Sequence, residues 1–272
     1  MNIINNLNSF TILIIHDKLL INHDTETVFL VSSIMYEGDS IIYELGDIEI
    51  MINKVANSAE EAVSNIKDGS TILFGGFGGA GVPYELIKAL LNQGAKDLIA
   101  VSNNPGLHHT GLAALIENDR IAKIMCSFPI SKDSYVFLKK FKERKIDLEL
   151  IPQGTLAERL RAGGSGIEAF YTPTGVGTEV AEGKEIKEFD GVTCILEKAI
   201  KGDFAFVKAK RADRWGNLVY NKSGRNFNPL MAMAGRISIA EVDEIVDLGQ
   251  LDPECIVTPG IFVQHVVKRS ES

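Results

Sequence analysis

Thr71-Ile-Leu-Phe-Gly-Gly-Phe-Gly-Gly-Ala-Gly-Val-Pro83 decides the fold. Three apolar residues follow Thr71, five glycines fall within the next seven positions, and a proline opens an amphipathic segment. This pattern predicts a buried strand, a tight backbone loop and a helix start. Loop amides and the first turn of a helix present N–H groups to an approaching anion or carbonyl oxygen. No side chain of Gly75, Gly76, Phe77, Gly78, Gly79, Ala80 or Gly81 does acid–base or nucleophilic chemistry, so the loop reads as a cradle.

Outward from the loop, apolar runs alternate with amphipathic ones. Strands are predicted at 71–75, 97–102, 122–128 and 147–153, with helices at 83–92, 111–119, 131–144 and 155–162. Leu98-Ile-Ala-Val-Ser102 shows no polar face, as expected of a parallel strand buried on both sides. The last third changes texture. Segments 204–207 and 218–220 flank Asp213-Arg-Trp-Gly-Asn217, which reads as a turn between antiparallel strands, followed by a helix at 229–234 and strands at 237–242 and 261–267. The expected architecture is α/β, an open and mostly parallel sheet flanked by helices, with an antiparallel C-terminal portion.

Residues 1–50 read differently. They are rich in Asn and Ile, lack glycine before Gly38 and show no sustained periodicity beyond a strand-like fragment at 11–15. At Ser58-Ala-Glu-Glu61 a capping box appears, and Ala59, Ala62, Val63 and Ile66 follow at helical spacing. We therefore expect 1–50 to be a non-native or weakly ordered extension, with translation starting at Met51, and 51–272 to be one domain.

The 272 residues are 45% hydrophobic and carry a net charge of −8, enough for a sizeable core and without the basic footprint of a nucleic-acid binder. Cys126, Cys194 and Cys255 lie far apart with no CxxC, so they read as buried, reduced thiols. The five histidines show no ligand spacing, and the adjacent His108 and His109 would diverge on a helix or strand, so no metal is expected. No apolar run reaches the roughly 18 residues that span a bilayer, and the start lacks a secretory signal, which together predict a cytoplasmic protein.

Gly76-Phe-Gly-Gly-Ala-Gly81 matches GxGxxG, so a dinucleotide site must be weighed. Such a site needs a carboxylate at the end of the next strand to grip a ribose, whereas that strand ends in Asn103-Asn104. A Walker-type phosphate loop fails as well, because no Lys-Ser/Thr follows Gly81. Asn103 and Gln153 each fall at a predicted strand end, where open α/β sheets bind ligands, and their amides donate to a carboxylate without adding charge. Arg159 and Arg161 read as solvated helix charges.

Taken together these segments resemble the alpha chain of the family I CoA-transferases, of the succinyl-CoA:3-ketoacid type. The resemblance runs from about Lys54 to about Lys268 and rests on Asp68 to Pro83, Ser102-Asn-Asn104, Pro152-Gln-Gly-Thr-Leu-Ala-Glu-Arg159, Ala169-Phe-Tyr-Thr-Pro-Thr-Gly175, Gly202-Asp-Phe204 and Arg225-Asn-Phe-Asn228. It implies CoA transfer from an acyl-CoA to a 3-oxoacid such as acetoacetate through a glutamyl-CoA thioester. It also implies that the 75–81 loop lies against the CoA thioester and that Asn103 and Gln153 contact the substrate carboxylate. The family's glutamate lies in a Ser-Glu-Asn-Gly motif of the beta chain, and no Glu-Asn-Gly occurs here. The resemblance therefore implies no nucleophile in this chain, no permanently bound cofactor, CoA thioester as substrate, and a beta-chain partner in an α₂β₂ heterotetramer. The competing expectations are the alpha chain of an acetate/butyrate–acetoacetate CoA-transferase, with which Val257-Thr-Pro-Gly260 is compatible, and, more distantly, a nicotinamide-dependent oxidoreductase or a non-catalytic ligand-binding relative.

Overall fold

The computed structural model describes residues 52–270 throughout and, before them, five strand segments. Met51, the expected translation start, lies outside the described residues. The chain divides into two compact units, Met1–Asn53 and Lys54–Ser272. In the first, Val28–Glu37 pairs antiparallel with Ser40–Ile48, Leu20–Ile21 adds to the far side of Val28–Glu37, and Asn2–Ile3 pairs with Leu13–Ile14. No strand periodicity announces this hairpin, because Val28-Phe-Leu-Val31 is a continuous apolar run instead of an alternating one.

The second unit opens with α1 (Ala59–Val63). Ser58 Oγ accepts from the Glu61 N–H at 3.1 Å, while Glu61 Oε2 accepts from the Asn57 N–H at 2.9 Å. The capping box thus forms with its carboxylate reaching one residue further back than the usual partner. Four strand–helix units follow: β1 (Thr71–Phe74), α2 (Tyr84–Gln93), β2 (Leu98–Ser102), α3 (Leu112–Glu117), β3 (Ile121–Cys126), α4 (Tyr135–Lys142), β4 (Asp147–Leu150) and α5 (Gln153–Gly164). Next come β5 (Ala169–Thr172), β6 (Ile186–Phe189) and β7 (Val192–Lys198), then β8 (Gly202–Asp213), β9 (Leu218–Val219), α6 (Asn228–Ala234), β10 (Gly235–Val246) and β11 (His265–Lys268).

The main sheet runs in the order β11-β10-β8-β1-β2-β3-β4, with every neighbouring pair parallel, and β9 lies antiparallel on β8. The alternation along β1 feeds two cores. Ile72 and Phe74 point into a cluster with Leu86, Leu90, Leu115 and Phe137 beneath α2, α3 and α4, and Leu73 points into another with Leu156, Leu160 and Met231 beneath α5 and α6. Phe74 meets Phe206 of β8 edge-on, with ring centroids 5.6 Å apart. From β1 the chain steps outward through β2, β3 and β4, whereas β8, β10 and β11 build on the other side. The strand order therefore diverges between β1 and β8, and crevices at such points are where α/β sheets bind ligands.

The open, mostly parallel sheet expected from the sequence is present, but its antiparallel part is placed differently. Of the C-terminal strands only β9 is antiparallel; β8, β10 and β11 extend the parallel sheet, because α6 carries the chain back between β8 and β10. The antiparallel layer is the separate sheet β5-β7-β6. Its hairpin turns on Asp190-Gly191, both with positive φ (47° and 79°), the conformation that an Asp-Gly pair signals. The strand expected at 261–267 shortens to His265–Lys268 behind a single 3₁₀ turn, Gly260–Phe262.

Candidate functional site

The glycine loop leaves β1 beside β8, where the Gly75 N–H donates to Phe206 O at 2.9 Å. Phe77 and Ala80 then exchange backbone hydrogen bonds at 3.0 and 3.1 Å, closing a tight turn on Gly78 and Gly79 with Gly78 at φ +58°. Among the described residues, no protein acceptor is paired with the N–H of Gly78 or Gly79. A methyl group on Gly75 would stand 1.8 Å from Asn228 Oδ1, and one on Gly81 would stand 2.4 Å from Gly224 O, so these two glycines admit close packing. Gly79 differs: its nearest neighbour would be Tyr84 Oη at 3.9 Å. Packing gives no reason for glycine at that position.

The ends of β2, β3 and β4 supply polar groups side by side. Asn103, 2% exposed just past β2, accepts on Oδ1 from Ser127 Oγ at 2.9 Å and from Gln153 Nε2 at 2.7 Å. Its backbone carbonyl accepts from the N–H groups of Ser127 and Phe128. Two donors on Oδ1 leave Nδ2 as the outward-facing group, and among the described residues Nδ2 has no acceptor. Gln153 is the first residue of α5 and exposed, so it stands on a helix start, where the sequence pattern had put a strand. Asn104 closes a local turn instead, its Oδ1 accepting from the Gly106 N–H.

These elements line one cleft of about 350 Å³, to which the loop contributes Phe77 and Gly78, the segments past β2 and β4 Asn103, Asn104 and Gln153, and the connecting segments Leu107, Phe128, Ser131, Asp133 and Ser134. Its lining offers amide and hydroxyl groups, with Asp133 as the one ionisable residue. Such a surface hydrogen-bonds carbonyl and carboxylate oxygens at an apolar-walled mouth. Residues 56–269 match the family profile described as Coenzyme A transferase. The chain belongs to the coenzyme A transferase family.

The A-type chain of a 3-oxoadipate CoA-transferase from Pseudomonas putida is 56% identical over 217 residues, covering 80% of this chain and 94% of that one. The A-type chain of a succinyl-CoA:3-ketoacid coenzyme A transferase from Helicobacter pylori strain J99 is 52% identical over the same length, covering 80% and 93%. Among solved structures, an acyl-CoA transferase apoenzyme from Escherichia coli O157:H7 superposes with a TM-score of 0.71 at 25% identity. It covers 81% of this chain, which spans about half that enzyme's length (48%).

Several residues of this CoA-transferase chain escape sequence reasoning. Ser127 orients Asn103, and its signal was its place one residue past β3, matching the polar ends of β2 and β4. Arg159 is not solvated: it is 8% exposed, with Nη1 3.0 Å from Glu149 and 3.8 Å from Glu197 and with Nε donating to Lys198 O at 2.6 Å. Lys123 and Lys184 complete the network at 2.6 Å from Glu149 and Glu197. Arg161, in contrast, pairs on the surface with Glu158 at 2.8 Å. His108 and His109 lie on a turn, bridged by Leu107 and Thr110, and both rings pack against Tyr135. Cys126 and Cys194 are buried, and burial pushes the Cys126 thiol up to about 12, whereas Cys255 is exposed, contrary to expectation. No helix of the described residues is long and apolar enough to cross a membrane.

Proposed function

We propose that this chain is the alpha chain of a two-component, cytoplasmic CoA-transferase that moves CoA from succinyl-CoA to a 3-oxoacid. The observation that carries the reading is the cleft itself: its lining brings Gly78 of the loop together with the amides of Asn103 and Gln153 and the hydroxyls of Ser131 and Ser134. In the proposed sequence a glutamate of the beta chain attacks the thioester carbon of the acyl-CoA. The C–S bond breaks, an acyl-glutamyl anhydride forms and CoA leaves as thiolate. The thiolate attacks the glutamyl carbonyl, releases the donor acid as carboxylate and leaves a glutamyl-CoA thioester; the acceptor carboxylate then reverses both steps.

Each attack places negative charge on an oxygen. We assign its stabilisation to the N–H groups of Gly78 and Gly79, which have no protein acceptor among the described residues, and preorganised donors cost no reorganisation at that moment. Asn103 Nδ2 and the second N–H of Gln153 Nε2 are assigned to the acid's oxygens, with Ser127 fixing the amide orientation.

The test is Gln153→Ala in the reconstituted two-chain complex. Losing one hydrogen bond to a charged group costs about 1.5–3 kcal/mol, so kcat/KM for acetoacetate should fall about ten- to a hundredfold while assembly persists. Unaltered steady-state constants would refute the assignment. The Pseudomonas relative favours 3-oxoadipate as a second acceptor, and it belongs beside acetoacetate in the same assay.

A further inference from the structure

Asn228 opens α6, is fully buried at 0% exposure, and has no part in the steps above. Its Nδ2 donates to Gly81 O at 3.0 Å and to Gly224 O at 2.8 Å, and its Oδ1 accepts from the Lys208 N–H at 2.9 Å. One side chain thus joins the end of the glycine loop, the 222–224 turn and the length of β8 that runs beyond β1. It fills the slot between the first and last glycines of the loop, since a methyl on Gly75 would meet its Oδ1 at 1.8 Å and one on Gly81 its Nδ2 at 2.8 Å. Asn226 adds a second clamp, with Nδ2 donating to Ala80 O at 3.1 Å.

The loop carries two kinds of backbone dipole. The carbonyls of Ala80 and Gly81 are drawn toward the two asparagines, while the N–H groups of Gly78 and Gly79 have no protein acceptor among the described residues. The two hydrogen bonds between Phe77 and Ala80 close the turn itself, but a glycine-rich segment has little further stiffness, so how the closed turn is aimed depends on contacts at its two ends. Gly75 N–H on Phe206 O holds the start, and Asn228 and Asn226 hold the end.

We propose that Asn228, assisted by Asn226, is a positioning residue that locks the peptide planes of the 75–81 loop so that its free amides face the reacting carbonyl. This rests on the reading that the loop binds that carbonyl. An oxyanion-hole donor acts through its orientation at the transition state, so loosening it lowers kcat more than it weakens ground-state binding.

Asn228→Asp is the decisive substitution. Its volume is conserved and the bond from the Lys208 N–H survives, but a carboxylate oxygen now faces the carbonyls of Gly81 and Gly224. In the reconstituted complex kcat should fall at least about tenfold, with KM for the 3-oxoacid within about threefold, since misaiming a donor forfeits part of the 10²–10³ such donors supply. Protonation turns that oxygen into a donor toward Gly81 O, so activity of Asn228→Asp relative to wild type should recover as pH is lowered. Thermal midpoints measured at each pH separate this from a change in folding.

Wild-type kcat in assembled Asn228→Asp, or a relative activity flat with pH, overturns the proposal. If that variant does not assemble, Asn226→Ala decides: a few-fold loss of kcat at unchanged KM supports the clamp, and wild-type kcat overturns it. Gly79→Ala in the same assay isolates the underlying reading. Full activity there removes the loop from the site, whereas an impaired Gly79→Ala beside a normal Asn228→Asp defeats the clamp alone.

Discussion

Gly79 is where the fold's requirements and the ligand's part company. The other loop glycines answer to backbone angle or to close neighbours, but a methyl group here would meet nothing nearer than 3.9 Å. Gly79→Ala is therefore expected to unfold in urea at the wild-type midpoint while losing about tenfold or more in kcat/KM with succinyl-CoA, because under the proposed function the methyl would intrude on the thioester carbonyl. A lowered midpoint would mean that glycine serves the fold there after all. The glycine pattern and Asn103 were legible in the sequence because each directly follows a strand, a place that periodicity finds; Gln153 was singled out from the run at 147–153, although it opens α5 beyond the strand. Asn228 was visible only as part of a motif: nothing in Arg225-Asn-Phe-Asn228 tells that an amide some 150 positions after Gly75 fills the gap the glycine leaves.

At the scale of elements, the four strand–helix units from β1 to α5 could be read because each is short and its apolar pattern is local. The small sheet β5-β7-β6 was not read, although Asp190-Gly191 marked its hairpin. Arg159 shows why: helical spacing says which face a residue occupies, but not that Glu149 of β4 and Glu197 of β7 converge on it. This network joins α5, and hence Gln153, to both sheets. Burial pushes the Glu149 carboxyl up, but hydrogen bonds and charge from Lys123 and Arg159 outweigh it and hold it below the ordinary value. A carboxyl lowered in the folded state adds stability above its unfolded pKa of about 4.3, and that stability is lost as pH falls through the folded value. Wild type should thus exceed Glu149→Gln in urea midpoint by a constant margin above about pH 5, and the margin should close below about pH 4. A margin unchanged down to pH 3 would show that the pair contributes through packing alone.

For the whole molecule, the division of labour makes the sharpest expectation. The purified chain should show no CoA transfer at any acid–CoA pair, and adding the beta chain should restore it; turnover by the single chain would bring Asp133, the one carboxyl lining the cleft, forward as nucleophile. The family match begins at residue 56, two residues past the boundary between the compact units, so the chemistry is assigned to the second unit. Both outermost strands of its main sheet, β4 and β11, are only four residues long; Asp147 and Glu149 sit on the first, His265 and Lys268 on the second, and Val55 bridges Val266 along the outer side of β11. Short, charged rims are poor templates for strand addition. A copy of this chain is thereby shielded from adding its sheet edge to edge onto another, which keeps lone copies from stacking into aggregates.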